Sequence, residues 1–255
     1  MSNLSKWGEW TDDALKQDTA SASSNTKNYM KLVEGDNIVR ILPPKPGKQH
    51  PLMVTQNHFL DMPDGRKVSF NCPRMMAKRA CPVCAKGEQL RLSKSFTDQK
   101  LGKRMFPRVR VFANVIDRNN PDLGVQILTF GKGILDDLMS IRANPRKGGN
   151  FTHPETGRDI VITRKGTGQF DTEYSVTPDV ATSPLHDDPG QQDDWLDMAY
   201  DLDFFGAVLS DEEIKAKLRG DGPEQEERPA TKTISVKPRG RTVEDDADSF
   251  DTDSF

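Results

Sequence analysis

Three cysteines, Cys72, Cys81 and Cys84, fall within thirteen residues, and they are the only cysteines of the chain. No other feature constrains the fold as strongly. Three thiols cannot all pair within one chain, so a disulfide framework is excluded and a reducing compartment is expected. Zinc takes four ligands, favours thiolate sulfur and imidazole nitrogen, and is readily held by both sulfurs of a Cys-x-x-Cys turn. Cys81-Pro82-Val83-Cys84 supplies that turn, Cys72 a third sulfur, and His58, following an apolar stretch, an imidazole. His50 competes for the fourth place, but it stands beside Pro51 in a turn and is the poorer candidate. A redox role for the CPVC pair would need a thioredoxin-like βαβ pattern around it, and none is visible. Four protein ligands close the coordination sphere, so the expected cofactor is one structural zinc ion rather than a catalytic one.

Around this cluster the pattern is mostly that of strands. Residues 37–42 and 51–59 partly alternate apolar and polar side chains, with Pro43, Pro44, Pro46 and Gly47 between them. Pro63-Asp64-Gly65 turns the chain before a strand at 67–70, and residues 105–117 and 125–130 read as two more around the Asn119–Asp122 turn. Residues 159–164 and 172–177 complete the set. Helices are expected at 82–94, where Pro82 suits the first helical position, at 131–143, and at 210–219. Short strands, one helix among them and Gly/Pro-rich turns predict a mainly β protein with added helices, built as a compact barrel. No run approaches the roughly 18 apolar residues of a membrane span, and Met1–Lys6 has no secretory character, so a soluble cytoplasmic protein is expected.

The net charge of -3 conceals a segregation. Residues 1–26 carry -2, residues 27–170 carry +14, and residues 171–255 carry -15. A basic body followed by an acidic end reads as an anion-binding domain with a charged interaction tail. Residues 1–26 form a polar, flexible arm whose Trp7 and Trp10 could dock on a neighbouring subunit, giving self-association, or fold back on the core. Residues 27–219 are the expected core, with a metal subdomain at about 56–100, and residues 220–255 have the composition of a disordered tail. That tail ends in Asp248, Phe250, Asp251, Asp253 and Phe255, where the triplet Asp-Ser-Phe occurs twice. Phenylalanine in an acidic tail has no core to join and is suited to anchoring in a partner's pocket, with charge steering the encounter.

Within the basic body the cations alternate with phenylalanines. Cations that follow a phosphate backbone, with aromatic faces for bases, are the means of binding single-stranded nucleic acid. On the strand at 105–117 a two-residue period puts Arg108 and Arg110 on one face and Val109 and Val111 on the other, just after Arg104. Arg66, Lys67, Arg74 and Lys78 crowd the metal cluster, and Arg164 and Lys165 end a later strand. No phosphate loop, dinucleotide fingerprint, metalloprotease helix or nucleophile elbow is present, so an enzyme is not expected. A second class of protein fits the same features: a zinc-containing interaction adaptor with incidental nucleic-acid binding.

Asn57-His58, Cys72 with CPVC at 81–84, Ala113-Asn114-Val115-Ile116, Phe130-Gly131-Lys132 and GTGQFDTEY at 166–174 together resemble the helix-destabilising single-stranded DNA-binding proteins of T-even-type bacteriophages. The resemblance runs from about Asn37 to Thr177. It implies an OB-fold barrel with an inserted zinc-binding subdomain, a DNA cleft between them, and an acidic tail that recruits replication and recombination proteins. It also implies a role in phage DNA replication, recombination and repair, in the host cytoplasm. His58, Cys72, Cys81 and Cys84 would hold the zinc. Arg108, Arg110, Phe112, Phe130, Lys132, Phe170 and Tyr174 would lie in or near the cleft. The family's cleft is rich in tyrosine, whereas of Tyr29, Tyr174 and Tyr200 only Tyr174 falls in the matching region, so stacking either relies on phenylalanine or is weaker.

Overall fold

The computed structural model describes residues 28–166, 168 and 171–220. Trp7, Trp10, Phe170, Asp248, Phe250, Asp251, Asp253 and Phe255 lie outside the described residues. Eight strands form one sheet: β1 (Tyr29–Met30), β2 (Gly35–Ile41), β3 (Leu52–Asp61), β4 (Lys67–Asn71), β5 (Arg108–Asp117), β6 (Val125–Phe130), β7 (Ile160–Lys165) and β8 (Glu173–Pro178). The main path runs β1-β6-β5-β2-β7-β8, every pair antiparallel except β1 with β6.

β5 is the central strand. One of its edges pairs with β6, while the other is shared, Arg108–Ala113 going to β3 and Val115–Asp117 to β2. Its β-branched alternation explains the burial, since Val111, Ala113 and Val115 are fully inaccessible on one face. With Val39, Ile41, Leu128, Phe130, Ile160 and Ile162 they make the principal core. Helix α4 (Lys132–Ala143) adds Ile134, Leu138 and Ile141, spaced four and three residues apart on one helical face, and packs against β8 and β5. No ladder joins β8 to β1 or β6, so the expected barrel is not closed by hydrogen bonds among the described residues.

The metal half of the chain grows out of the β3–β4 hairpin. Its turn is set by Gly65, in the left-handed region at φ +85°, which only glycine enters without strain. Helices α1 (Pro73–Ala77), α2 (Pro82–Arg91) and α3 (Phe96–Met105) follow. α3 departs from the sequence reading, which has a strand beginning at Met105. Ser95 caps it by accepting from the Asp98 amide, and Pro107 follows its end, but its apolar residues Phe96 and Leu101 are exposed, so no amphipathic stripe announces it. Its buried residue is Gly102, where a Cβ would stand 2.7 Å from the Gly87 carbonyl of α2. The two helices therefore cross nearly backbone to backbone.

After β8 the chain returns across the molecule. α5 (Pro189–Asp197) is capped by Asp188, which accepts from the Gly190 and Gln191 amides, and brings Trp195 against Leu42, Ile116, Val125 and Leu185. A single 3-10 turn (Asp203–Gly206) precedes α6 (Asp211–Arg219), which begins in a reciprocal capping box between Ser210 and Glu213 and ends at Gly220, φ +93°. Ile214 of α6 is fully buried in the metal half. At the far end, Arg40, fully buried, pairs with Asp159 at 3.0 Å, and Arg118 grips the same carboxylate with Nε at 3.0 Å from both oxygens. No helix among the described residues is long and apolar enough to cross a membrane.

Candidate metal centre and nucleic-acid interface

His58 lies on β3 directly opposite Phe70 of β4, their ring centroids 5.2 Å apart. Cys72 follows β4 as the residue before α1, its amide donating to the Gln56 carbonyl at 2.7 Å. Cys81 occupies the corresponding place before α2, and Cys84 falls in that helix's first turn. Extended backbone before a Pro-initiated helix is what brings the Cys-x-x-Cys sulfurs to one side. The four ligand atoms all lie within 4.8 Å of one another and all four residues are buried. Cys72 Sγ is 3.6 Å from Cys84 Sγ, and His58 Nε2 is 3.2 Å from Cys81 Sγ and 3.7 Å from Cys84 Sγ. Tetrahedral ligands about 2.3 Å from a common ion stand about 3.8 Å apart, so the cluster has the size of a single metal site.

Its electrostatics fit the same conclusion. His58 Nδ1 lies 2.7 Å from the Met105 carbonyl and donates to it, which leaves the Nε2 lone pair turned to the sulfurs. Burial lowers the His58 pKa and so favours the neutral, ligating imidazole. Burial pushes the Cys81 and Cys84 thiols up, because an apolar pocket disfavours the thiolate. The donor set thus suits one soft or borderline dication. Val68, Phe70, Val83 and Ile214 wall it, with Leu60, Met62, Met105, Leu209 and Leu218 packed around them. The wall therefore draws on α6, far beyond the cysteines in sequence.

On β5, Arg108, Arg110 and Phe112 share the face opposite Val111 and Ala113. Their direct partners on β3 are Asn57, Thr55 and Met53, so these six residues share one side of the sheet, with Thr55 fully buried among them. Phe59, two residues on from Asn57 and paired with Ser69, extends it. It is 39% exposed and the Arg110 guanidinium carbon lies 5.6 Å from its ring centroid. Phe59 is the contact that the sequence reading did not single out. The period of two would have found it, because a His58 turned to the metal turns Phe59 the other way.

The other sequence candidates are dispersed. Lys67, Lys78, Arg104 and Lys165 are exposed. Arg66 bonds Asp64 through Nε at 2.7 Å and reaches the Lys217 and Leu218 carbonyls, where it terminates α6. Arg74 pairs with Glu88 at 2.5 Å and Lys132 with Asp136 one turn away. Phe130 is 4% exposed among the core residues, on the inward side opposite Val111, so its ring is closed to a base. Arg164 and Tyr174 are direct cross-strand partners, but they follow the inward alternation of Ile160 and Ile162 rather than the face of Arg108. Tyr174 is nonetheless 44% exposed, at the end of its ladder, and Arg164 donates to the Leu32 carbonyl at 2.7 Å.

A buried three-sulfur, one-imidazole cluster of the size of one metal site thus lies on the same β3–β5 frame as a sheet face of arginine and phenylalanine. The family model described as gp32 DNA binding protein like matches residues 33–218, most of the chain, and the protein belongs to that family. No curated protein sequence matches it.

Proposed function

We propose that the protein binds single-stranded DNA without regard to sequence and coats exposed strands during phage DNA replication, recombination and repair. The observation that carries the reading is the Arg108-Arg110-Phe112 face with Phe59, inside a region that matches a DNA-binding family. The arginines follow phosphates while an exposed ring, Phe59, stacks on a base, an arrangement indifferent to base identity. The order β8-β7-β2-β5-β6, with α4 between β6 and β7, supports an OB-type barrel as its frame. Zinc at His58, Cys72, Cys81 and Cys84 would hold the β3–β4 hairpin, and with it Phe59, against the helices. Tail residues 220–255 would recruit replication and recombination proteins by charge and phenylalanine anchors.

Fluorescence anisotropy of a labelled oligonucleotide, single-stranded against duplex, at two salt concentrations tests this. The expected result is a marked preference for the single strand and an affinity that falls steeply with salt through counterion release. Equal affinity for both forms, or no binding, would overturn it.

A further inference from the structure

Residues 199–207 lie along the same sheet face that carries Arg108, Arg110 and Phe112. Phe205 is stacked on Phe112 with ring centroids 4.0 Å apart and planes 7° from parallel. Phe204, 68% exposed, meets Phe205 edge-on at 5.9 Å. Two asparagines of the face clasp the segment's backbone. Asn114 Nδ2 donates to the Tyr200 carbonyl at 2.9 Å while its Oδ1 accepts from the Tyr200 amide at 3.1 Å. Asn71 Nδ2 donates to the carbonyls of Phe205 and Ala207 at 2.6 and 2.7 Å.

Two features make this an odd way to finish a fold. The side-chain oxygen of Asn71, a residue only 7% exposed, has no hydrogen-bond partner among the described residues. Beside the segment a cleft of about 250 Å³ remains between it and the sheet, lined by Lys45, Lys48, His50, Met53 and Asp201 among others. A segment selected only to seal a core would fill the cleft and satisfy the asparagine.

Its composition gives the alternative. From Gly166 to Ile214 the chain has no lysine or arginine, and Asp193, Asp194, Asp197, Asp201 and Asp203 fall in or just before the segment. Asp203 pairs with Lys48 of the body. A parallel ring on an aromatic platform, carboxylates against lysine, and a polar backbone read by asparagine amides are the contacts a single strand offers through base, phosphate and base edge.

We infer that the nucleic-acid site continues beneath residues 199–207, with Asn71 and Asn114 as further contacts, and that a bound strand displaces the segment, whose Phe205 holds the place of a base on Phe112. The inference rests on the single-stranded DNA reading above. The exposed part of the face, Arg108 and Phe59, captures the strand. The covered half is reached when a base replaces Phe205 on Phe112. The segment therefore taxes affinity by the fraction of molecules in which it is docked.

The test uses the full chain with its metal and a thymidine oligonucleotide. Hydrogen–deuterium exchange is followed across 198–210 with and without saturating oligonucleotide, and the Tyr200 amide, bonded to Asn114, is the reporter. Exchange there is expected to speed up on binding. Exchange that stays unchanged or slows while the oligonucleotide binds would overturn this inference alone. Absence of binding would overturn the DNA reading and this inference together. Phe205→Leu and Phe112→Leu, each checked for an intact melting transition, give a second measure. Phe205→Leu is expected to tighten oligonucleotide binding several-fold and Phe112→Leu to weaken it. Weakening by both would mean that the stack is merely structural and would refute the displacement.

Discussion

Ile214 connects α6, the last helix among the described residues, to the cysteine–histidine cluster, and its truncation gives a sharp test of how that half of the structure is held. The side chain is fully buried among Val68, Phe70, Val83 and the three cysteines. Ile214→Ala removes three carbons, about 2.4 kcal/mol in lost transfer free energy at 0.8 kcal/mol per methylene, and the cavity left behind raises the total to about 3–4 kcal/mol. A nine-residue helix has almost no stability of its own, so the loss falls first on the docking of α6 rather than on the sheet. A loss of 3 kcal/mol raises the population of the undocked helix roughly a hundredfold. Hydrogen exchange of the Ile214 and Gly220 amides, bonded to the Ser210 and Ala216 carbonyls, should accelerate by that factor. A thiol reagent should release metal from the variant faster than from the parent chain, because the wall over the cysteines opens. A stability change below about 1 kcal/mol with unaltered exchange at 211–219 would refute the view that α6 closes the metal half.

Asp159→Asn leaves the fully buried Arg40 without its anion and should cost about 3–5 kcal/mol, read as a lower urea midpoint at constant m-value. The hydrogen bond from the Ser210 amide holds the Glu213 carboxyl below its ordinary value. A depressed folded pKa stabilises above the unfolded pKa and loses that contribution as pH falls through the folded one, so protection of α6 should decline on acidification, and Glu213→Gln should flatten that decline. Arg108→Ala should weaken oligonucleotide binding and reduce the slope of log affinity against log salt by about one, measured by anisotropy. An unchanged slope would remove Arg108 from the phosphate path.

The clustering of His58, Cys72, Cys81 and Cys84 was legible in the sequence because a coordination sphere needs particular residue types and three of the four fall close together. Strand positions were legible for the same local reason, since β-branched alternation and turn residues act over a few positions. The face of Arg108 and Arg110 followed from the period of two. What distant contacts decide was not legible. Phe130 looked like a cleft ring but faces Val111 across the ladder, on the inward side. Arg66 looked like a phosphate contact, yet it ties off a helix whose carbonyls are about 150 residues away. The pairing of Asn71 with Phe205 spans 134 residues, and nothing near either residue announces it. α3 escaped notice because Phe96 and Leu101, which would have marked it, are exposed and its buried position is a glycine.

β5 runs unbroken from Arg108 to Asp117 while its partner changes from β3 to β2. Inserting or deleting one residue within that strand would exchange its two faces beyond the change, bringing valines to the surface and arginines to the core. Length variation in evolution therefore has nowhere to go here. Functional relatives should align across these ten positions without gaps, and divergence in size should collect in the turns on either side.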